Sequence, residues 1–301
     1  MRFAKGHGTG NDFVILPDVD DELELVPGLV RRLCDRRTGI GADGVLRVVR
    51  AGAASLGASA SASGGAGWFM DYLNADGSAA EMCGNGIRVF ARYLIEHQLA
   101  TGPEIVIGTR AGVRAVRCGD DGQFSVDMGP ARVTGAGSAV IGGSSYQGVA
   151  VDVGNPHLAC VVDEPLAGFD LARAPVVDPA EFPDGVNVEV VRMAGGRSIE
   201  MRVHERGSGE TLSCGTGAVA VAAAAATATG EWPGDGTLAW EVRVPGGRLR
   251  VIPSATASVL AGPAVIVAEG EIDERWLAGA GVPADAWGTW RPAERQQGAP
   301  A

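Results

Sequence analysis

One lysine, Lys5, stands among the 25 basic residues of this 301-residue chain; the others are arginines. Pyridoxal-phosphate enzymes hold their cofactor as a lysine Schiff base, so only Lys5 is open to that chemistry. Histidine is scarce too, at four residues. With no His-Glu-x-x-His and no zinc-like cysteine spacing, no metal site is expected. The net charge of −11 comes without a basic cluster, which points away from nucleic acid. No run of about 18 apolar residues is present, so no membrane-spanning helix is expected. Met1–Gly10 lacks the apolar core of a signal peptide, which makes the cytoplasm the expected compartment. The five cysteines, Cys34, Cys83, Cys118, Cys160 and Cys214, are odd in number and argue against a disulfide framework.

What is present suffices for a core. Apolar residues make up 46% of the chain and charged ones 20%. Glycine (46) and proline (16) together stay below the share of about 25–30% that marks low-complexity disorder. The length suggests about two domains.

Along the chain, 2–16 reads as two short strands around the glycine-rich turn Gly6-His7-Gly8-Thr9-Gly10-Asn11-Asp12. That turn lacks the Gly-Lys-Ser/Thr ending of a nucleotide loop. A short helix is expected over 27–37, with Pro27 in its first turn. Strands are expected over 45–50 and 68–73, and the Ala/Gly/Ser stretch 51–67 between them reads as a flexible surface loop. Ile87, Phe90, Ala91 and Leu94 have helical spacing in 83–98. Strands are expected again within 104–128, 147–153, 158–162, 186–191, 198–203 and 238–267. The stretch 217–229 is Ala/Val-rich and uncharged; a helix apolar on all sides should be buried.

The second half repeats the first. Glu81-Met82-Cys83-Gly84-Asn85-Gly86 opens one helix, and Leu212-Ser213-Cys214-Gly215-Thr216-Gly217 opens the other. Nine residues before each cysteine a polar residue ends a strand: Asn74 and Glu205. Further upstream each half has a Gly-Asn pair, Gly10-Asn11 and Gly154-Asn155. The pattern implies an α/β (α+β) fold of two pseudo-symmetric halves, each with strands wrapped around a central helix. The two cysteine-bearing helix starts would then face each other across a cleft.

A helix start presents unpaired N–H groups and about half a positive charge. It binds anions and favours thiolate over thiol. One such cysteine suits a nucleophile, a redox thiol or an anion-binding turn. Two across a cleft can act as an acid–base pair: a thiolate removes a proton from carbon while a thiol supplies one from the opposite face, and the centre inverts. Charge developing on an adjacent carboxylate would be held by the helix-start N–H groups. Cys34, Cys118 and Cys160 fall in periodic apolar surroundings and read as packed residues. Arg88, inside the first helix, reads as a surface or inter-domain charge.

Gly8-Thr9-Gly10-Asn11-Asp12-Phe13, Asn74-Ala75-Asp76-Gly77-Ser78, Met82-Cys83-Gly84-Asn85-Gly86-Ile87-Arg88, Gly154-Asn155-Pro156-His157, Gly185-Val186-Asn187 and Glu205-Arg206-Gly207-Ser208-Gly209-Glu210-Thr211, running on to Cys214-Gly215-Thr216-Gly217, together resemble the diaminopimelate epimerase family. The resemblance spans roughly 1–270 in family order. It implies a cofactor-independent enzyme that interconverts LL- and meso-diaminopimelate, serving lysine and peptidoglycan synthesis, and a homodimer. It implies mixed strand barrels, with 1–130 as a half carrying Cys83, to which a final strand near 263–271 returns. The other half, 131–262, carries Cys214, and 272–301 is left as a tail of uncertain order. Cys83 and Cys214 become the acid–base pair. Backbone N–H groups at Gly84-Asn85 and Gly215-Thr216 would hold the carboxylate at the reacting centre, and Asn11 would contact the amino acid group there. Asn74, Asn155, Asn187 and Arg206 would clamp the remote amino acid group, with Glu205 beside it. His157 would orient a cysteine or a backbone group.

One position departs from the pattern. Many relatives carry a substrate-contacting glutamine where this chain has Gly44. Two other functions remain open on sequence: a proline-racemase-like enzyme, which typically has histidine where Asn85 stands, and a non-catalytic amino-acid-binding or thiol redox protein.

Overall fold

Two helices that begin at cysteines form the axes of the fold, and strands are laid around each in the same order. The computed structural model describes residues 1–232 and 237–279. The first half comprises β1 (Arg2–Gly8), β2 (Asn11–Pro17), α1 (Pro27–Cys34), β3 (Gly44–Arg50), β4 (Trp68–Asn74), α2 (Gly84–Glu96), β5 (Glu104–Thr109), β6 (Gly112–Cys118) and β7 (Phe124–Gly129). Then come β8 (Arg132–Ile141), β9 (Ser144–Asp152), β10 (Pro156–Val161), β11 (Val176–Val177), β12 (Asn187–Met193), β13 (Ser198–Glu205), β14 (Gly209–Thr211) and α3 (Gly215–Ala228). The described chain ends with β15 (Trp240–Val244), β16 (Gly247–Ile252), β17 (Ser258–Gly262), β18 (Val265–Glu271) and α4 (Glu274–Ala278).

The strand pairing is one ladder used twice. Around α2, β18, β1 and β2 pair antiparallel, β2 and β3 parallel, β3 and β4 antiparallel, β4 and β5 parallel, and β5, β6 and β7 antiparallel. Around α3, β8, β9 and β10 pair antiparallel, β10 and β12 parallel, β12 and β13 antiparallel, β13 and β15 parallel, and β15, β16 and β17 antiparallel. The antiparallel β7–β17 pair joins the halves. Each parallel pair needs a crossover rather than a hairpin, and those crossovers wrap the strands around the central helix.

The two axes fill their barrels differently. α2 buries Ile87, Val89, Phe90 and Leu94, whereas α3 is buried almost along its whole length with Ala218, Ala220 and 222–226, all alanine, against the strands. A helix clad in methyl groups admits the surrounding strands closely, and Trp240 and Leu260 fill the remaining space. A satellite core lies outside the first barrel. There Leu29, Leu33 and Cys34 of α1 pack with Val14, Leu16 and Val45, and with Ile272 and Leu277 at the end of the described chain.

Two expectations change. The 51–67 stretch is not a bare loop: it carries 3-10 turns over Ala54–Ser63, broken at Gly57 (φ 53°). Ala51, Ala53 and Leu56 are buried with Val49 and Phe69, because β3 and β4 offer an apolar face that even small side chains can cover. Residues 272–279 are ordered through α4, whereas the tail expectation for 280–301 lies outside the described residues.

Candidate active site

Each cysteine is the N-cap of its helix. Cys83, with φ −137° and ψ 121°, accepts from the Gly86 N–H through its sulfur at 3.4 Å. Cys214, with φ −118° and ψ 121°, accepts from the Gly217 N–H at 3.4 Å. The thiols thus take the capping place usually held by a side-chain oxygen, and both stay free of disulfides.

The two helix starts meet. A Cβ on Gly215 would lie 3.3 Å from Gly84 Cα and 3.7 Å from the Asn85 nitrogen; a side chain at 215 would crowd the first turn of α2. Asn85 Nδ2 donates to the Ser213 carbonyl at 3.0 Å, and Thr9 Oγ1 bonds Ser213 Oγ at 2.7 Å. Thr9 and Gly10, at φ 50° and 84°, form the two-residue turn between β1 and β2. A hairpin turn of this kind needs positive φ at both positions. A β-branched residue rarely adopts it, and here the Thr9 hydroxyl is held between the halves as a result. Gly246 seats the turn from the other side: a Cβ there would fall 1.7 Å from the Thr9 carbonyl oxygen.

Asn11 lies beside Cys83. Its Nδ2 donates to Asp43 at 2.7 Å, which turns its Oδ1 toward the Cys83 thiol, 3.5 Å away. Asp43 belongs to a charged cluster with Asp12, Arg36 and Lys5. The single lysine is therefore engaged, bonding Asp12 at 2.7 Å and also the Gly41 carbonyl.

Asn74 ends β4 and donates to Ser78 Oγ at 3.0 Å. Asn187, buried, donates to the Pro156 carbonyl at 3.0 Å and accepts from the Arg206 backbone N–H at 2.9 Å. Its amide thus ties the Asn155-Pro156-His157 turn to the end of β13. The Arg206 side chain is exposed and donates to the Asp184 carbonyl at 2.7 Å. Glu205 accepts from Thr211 Oγ1, and its charge bears on both Cys83 and Cys214. Thr216 Oγ1 lies 3.4 Å from Cys214 Sγ.

His157 is placed otherwise than expected. Both its nitrogens are taken, Nδ1 by Glu189 at 2.7 Å and Nε2 by Asn155 Oδ1 at 3.0 Å, so it bonds neither cysteine. Glu189 escaped sequence reasoning. It is a fully buried carboxylate whose Oε2 has no hydrogen-bond partner among the described residues. Its Oε1 lies 2.7 Å from where a Cβ on Gly217 would sit, beneath the first turn of α3. The available signal was a lone charge within the apolar run Val188-Glu189-Val190-Val191. Thr9 and Asp43 gave no comparable signal. Arg88, expected as a surface or inter-domain charge, is completely buried. A side chain at Gly44 is excluded, because a Cβ would lie 2.6 Å from both the Leu73 carbonyl oxygen and the Tyr72 ring.

The helix-start argument for low thiol pKa values is outweighed here. Burial pushes the Cys83 thiol up to about 11, against the pull of the Gly86 and Asn85 N–H groups. Burial, together with the Glu205 and Glu189 charges, pushes Cys214 well above its ordinary value. Removing water disfavours an anion more than one turn of oriented N–H groups favours it.

A family model for diaminopimelate epimerase matches residues 3–134 and 149–267. The chain is 56% identical over 274 residues to a diaminopimelate epimerase of Thermobifida fusca, covering 90% of this chain and 98% of that one. It is 53% identical over 294 residues to a diaminopimelate epimerase of Mycolicibacterium smegmatis, covering 92% and 98%. Among solved structures, a hydroxyproline epimerase from Agrobacterium vitis aligns with TM-score 0.66 at 16% identity, over 96% of this chain and 97% of that one. A PhzF-family phenazine biosynthesis protein from Bacillus anthracis aligns with TM-score 0.63 at 18% identity, over 91% and 99%. Likeness at those identities bears on the fold alone.

Proposed function

Since this chain belongs to the diaminopimelate epimerase family, we propose that it is an isomerase converting LL-diaminopimelate to the meso form, with Cys83 and Cys214 as its acid–base pair. The observation that carries this reading is the meeting of two cysteine-capped helix starts, Gly215 against Gly84. A carbon bound between them has a sulfur on each side and N–H groups from both helices for its carboxylate.

The proton balance is simple. The Cα–H bond breaks as a thiolate becomes a thiol. A new Cα–H bond forms on the opposite face as the other thiol becomes a thiolate. The substrate keeps its composition and the two sulfurs exchange protonation states. Negative charge passes through the α-carboxylate, where fixed N–H donors in a dry site are worth far more than in water. The raised thiol pKa values fit this task, since a desolvated thiolate is the stronger base for a weakly acidic carbon. The mechanism asks for no pyridoxal electron sink, and the only lysine bonds Asp12.

Asn11, oriented by Asp43, is the contact for the reacting amino acid group. Asn74, Asn155, Asn187, Glu205 and Arg206 wall the site for the remote group, where the Arg206 guanidinium would take the second carboxylate through paired N–H donors. The working form is a cytoplasmic homodimer. Val265 and Val267 are exposed on β18, whose far edge pairs with no strand among the described residues; they offer an apolar surface to a second copy.

The test is proton exchange. Reduced protein incubated with LL-diaminopimelate in heavy water should incorporate deuterium at Cα and yield meso product. Folded, reduced protein without exchange would refute the epimerase, and exchange with proline instead would make it a proline-racemase-like enzyme. Arg206→Ala should raise KM for diaminopimelate at least tenfold; an unchanged KM would remove Arg206 from the clamp.

A further inference from the structure

The two halves repeat each other in backbone but not in buried charge, and the difference is concentrated behind the two thiols. Five residues after Cys83 stands Arg88; five after Cys214 stands Val219. Both are fully buried. Strand register gives the second difference. In the first half the parallel pair β2–β3 sets Ile15 opposite Leu46, and in the second β10–β12 sets Ala159 opposite Glu189. Leu46 and Glu189 hold matching places beneath the first helical turns. A Cβ on Gly86 would meet Leu46 at 3.4 Å, and one on Gly217 would meet Glu189 Oε1 at 2.7 Å. The helix of Cys83 therefore has a buried cation and an apolar floor, and the helix of Cys214 an apolar side chain and a buried carboxylate.

The guanidinium of Arg88 has no carboxylate within ion-pair distance among the described residues. Its hydrogen bonds go to neutral acceptors: Gly84 O at 2.9 Å, Asn85 Oδ1 at 2.9 Å, Thr9 Oγ1 at 3.4 Å and Pro263 O at 3.4 Å. A buried charge is normally paired. The bonds to Gly84 and Asn85 hold the guanidinium against the helical turn that follows Cys83, so its charge bears on the Cys83 sulfur, while burial pushes Arg88 itself down to about 10. The other groups facing Cys83 are Asn11, the Gly86 and Asn85 N–H groups, Tyr72 and Glu205. Those facing Cys214 are Thr216, the Gly217 N–H, Glu205 and Glu189; burial pushes the Glu189 carboxyl up, and His157 at its side favours the charged form. Glu205 acts on both sulfurs; Arg88 lies on the helix of Cys83 and Glu189 beneath the helix of Cys214.

We infer that the thiols are inequivalent before substrate arrives: Arg88 is a positioning residue that sets the pair's thiolate on Cys83, and Glu189 keeps Cys214 as the thiol. The inference rests on the two-thiol reading above. It means that the free enzyme is poised for the stereoisomer whose α-hydrogen faces Cys83. The other isomer is accepted only after the proton has moved from Cys214 to Cys83.

Alkylation of enzymes that keep only one of the two active-site cysteines tests it. In Cys214→Ala and Cys83→Ala proteins, the rate of iodoacetamide capture of the remaining active-site cysteine is followed against pH by peptide mass spectrometry. Comparing midpoints rather than rates removes differences in access. Cys83 should titrate about one pH unit or more below Cys214, the usual reach of one nearby charge. Arg88→Met should raise the Cys83 midpoint by a similar amount and leave that of Cys214 in place, while Arg88→Lys should retain the wild-type midpoint. Glu189→Gln should lower the Cys214 midpoint, which provides a readout if Arg88→Met does not fold. Equal midpoints, a lower one for Cys214, or midpoints indifferent to these substitutions would overturn the inference. Wild-type proton exchange with diaminopimelate is scored separately: exchange with equal midpoints sinks the asymmetry alone, and no exchange sinks the epimerase reading.

Discussion

Asn85 reaches from the first turn of α2 to the residue before Cys214, its amide nitrogen donating to the Ser213 carbonyl at 3.0 Å. The same side chain accepts from Arg88 at 2.9 Å through Oδ1. One amide therefore couples the buried cation of one half to the cysteine-bearing turn of the other. Asn85→Ala should strand the Ser213 carbonyl and one guanidinium N–H in a buried place, costing about 1–3 kcal/mol of stability, read by denaturant unfolding. Turnover should fall more steeply than stability at assay temperature, because the spacing of the two helix starts is relaxed.

Cys83→Ala or Cys214→Ala should abolish inversion while the melting temperature stays close to wild type. Each sulfur caps its helix through one long contact of 3.4 Å, so little cohesion is lost with it. Assay of both turnover and thermal unfolding decides the matter; near-native turnover in either variant would refute a two-thiol mechanism.

Gly217→Ala should invert the usual sign of a helical glycine-to-alanine change. In an open helix the change gains up to about 1 kcal/mol. Here the new Cβ would lie 2.7 Å from Glu189 Oε1 and 3.2 Å from Cys214 Cβ. A net loss of about 1–3 kcal/mol is expected, with turnover reduced as Cys214 shifts. Gly28→Ala in α1, with no atom within 4 Å of the new Cβ, is the control and should be neutral or stabilising.

Asp12 makes part of the stability pH-dependent. Burial opposes its ionisation, but Arg36 and Lys5 outweigh burial and hold the carboxyl below its usual value of 3.8. A carboxyl depressed in the folded state stabilises above its unfolded pKa and loses that contribution as pH falls toward the folded value. The melting-temperature gap between wild type and Asp12→Asn should thus be full at neutral pH and narrow below about pH 4. A gap that widens on acidification would contradict the assigned ion pairs.

Much of this site was legible because its signals are local. A cysteine followed by Gly-x-Gly and then by apolar residues at helical spacing announces a capped helix start within a few positions. Two copies in one chain announce two halves. The Gly-Asn turns and the Glu205-Arg206 segment were similarly readable, because turn and strand-end chemistry is written in neighbouring residues. The burial within 51–67 is not legible for the converse reason: small residues carry no periodic pattern, and their packing with Val49 and Phe69 depends on how the flanking strands fold.

From the sequence alone came the duplicated plan, the two thiol-capped helices and the family of the chain, all of which follow from short-range spacing and residue order. Tertiary structure alone decided which charges lie behind those thiols. Arg88 is buried because α2 runs through the middle of a barrel and Pro263, far along the chain, supplies a carbonyl to it. His157 bonds Glu189 rather than a cysteine because parallel pairing of β10 with β12 brings Glu189 to its ring. Burial is set by what the rest of the chain packs over a residue, and in a dry interior that cover outweighs the helix-start field in setting the state of each sulfur.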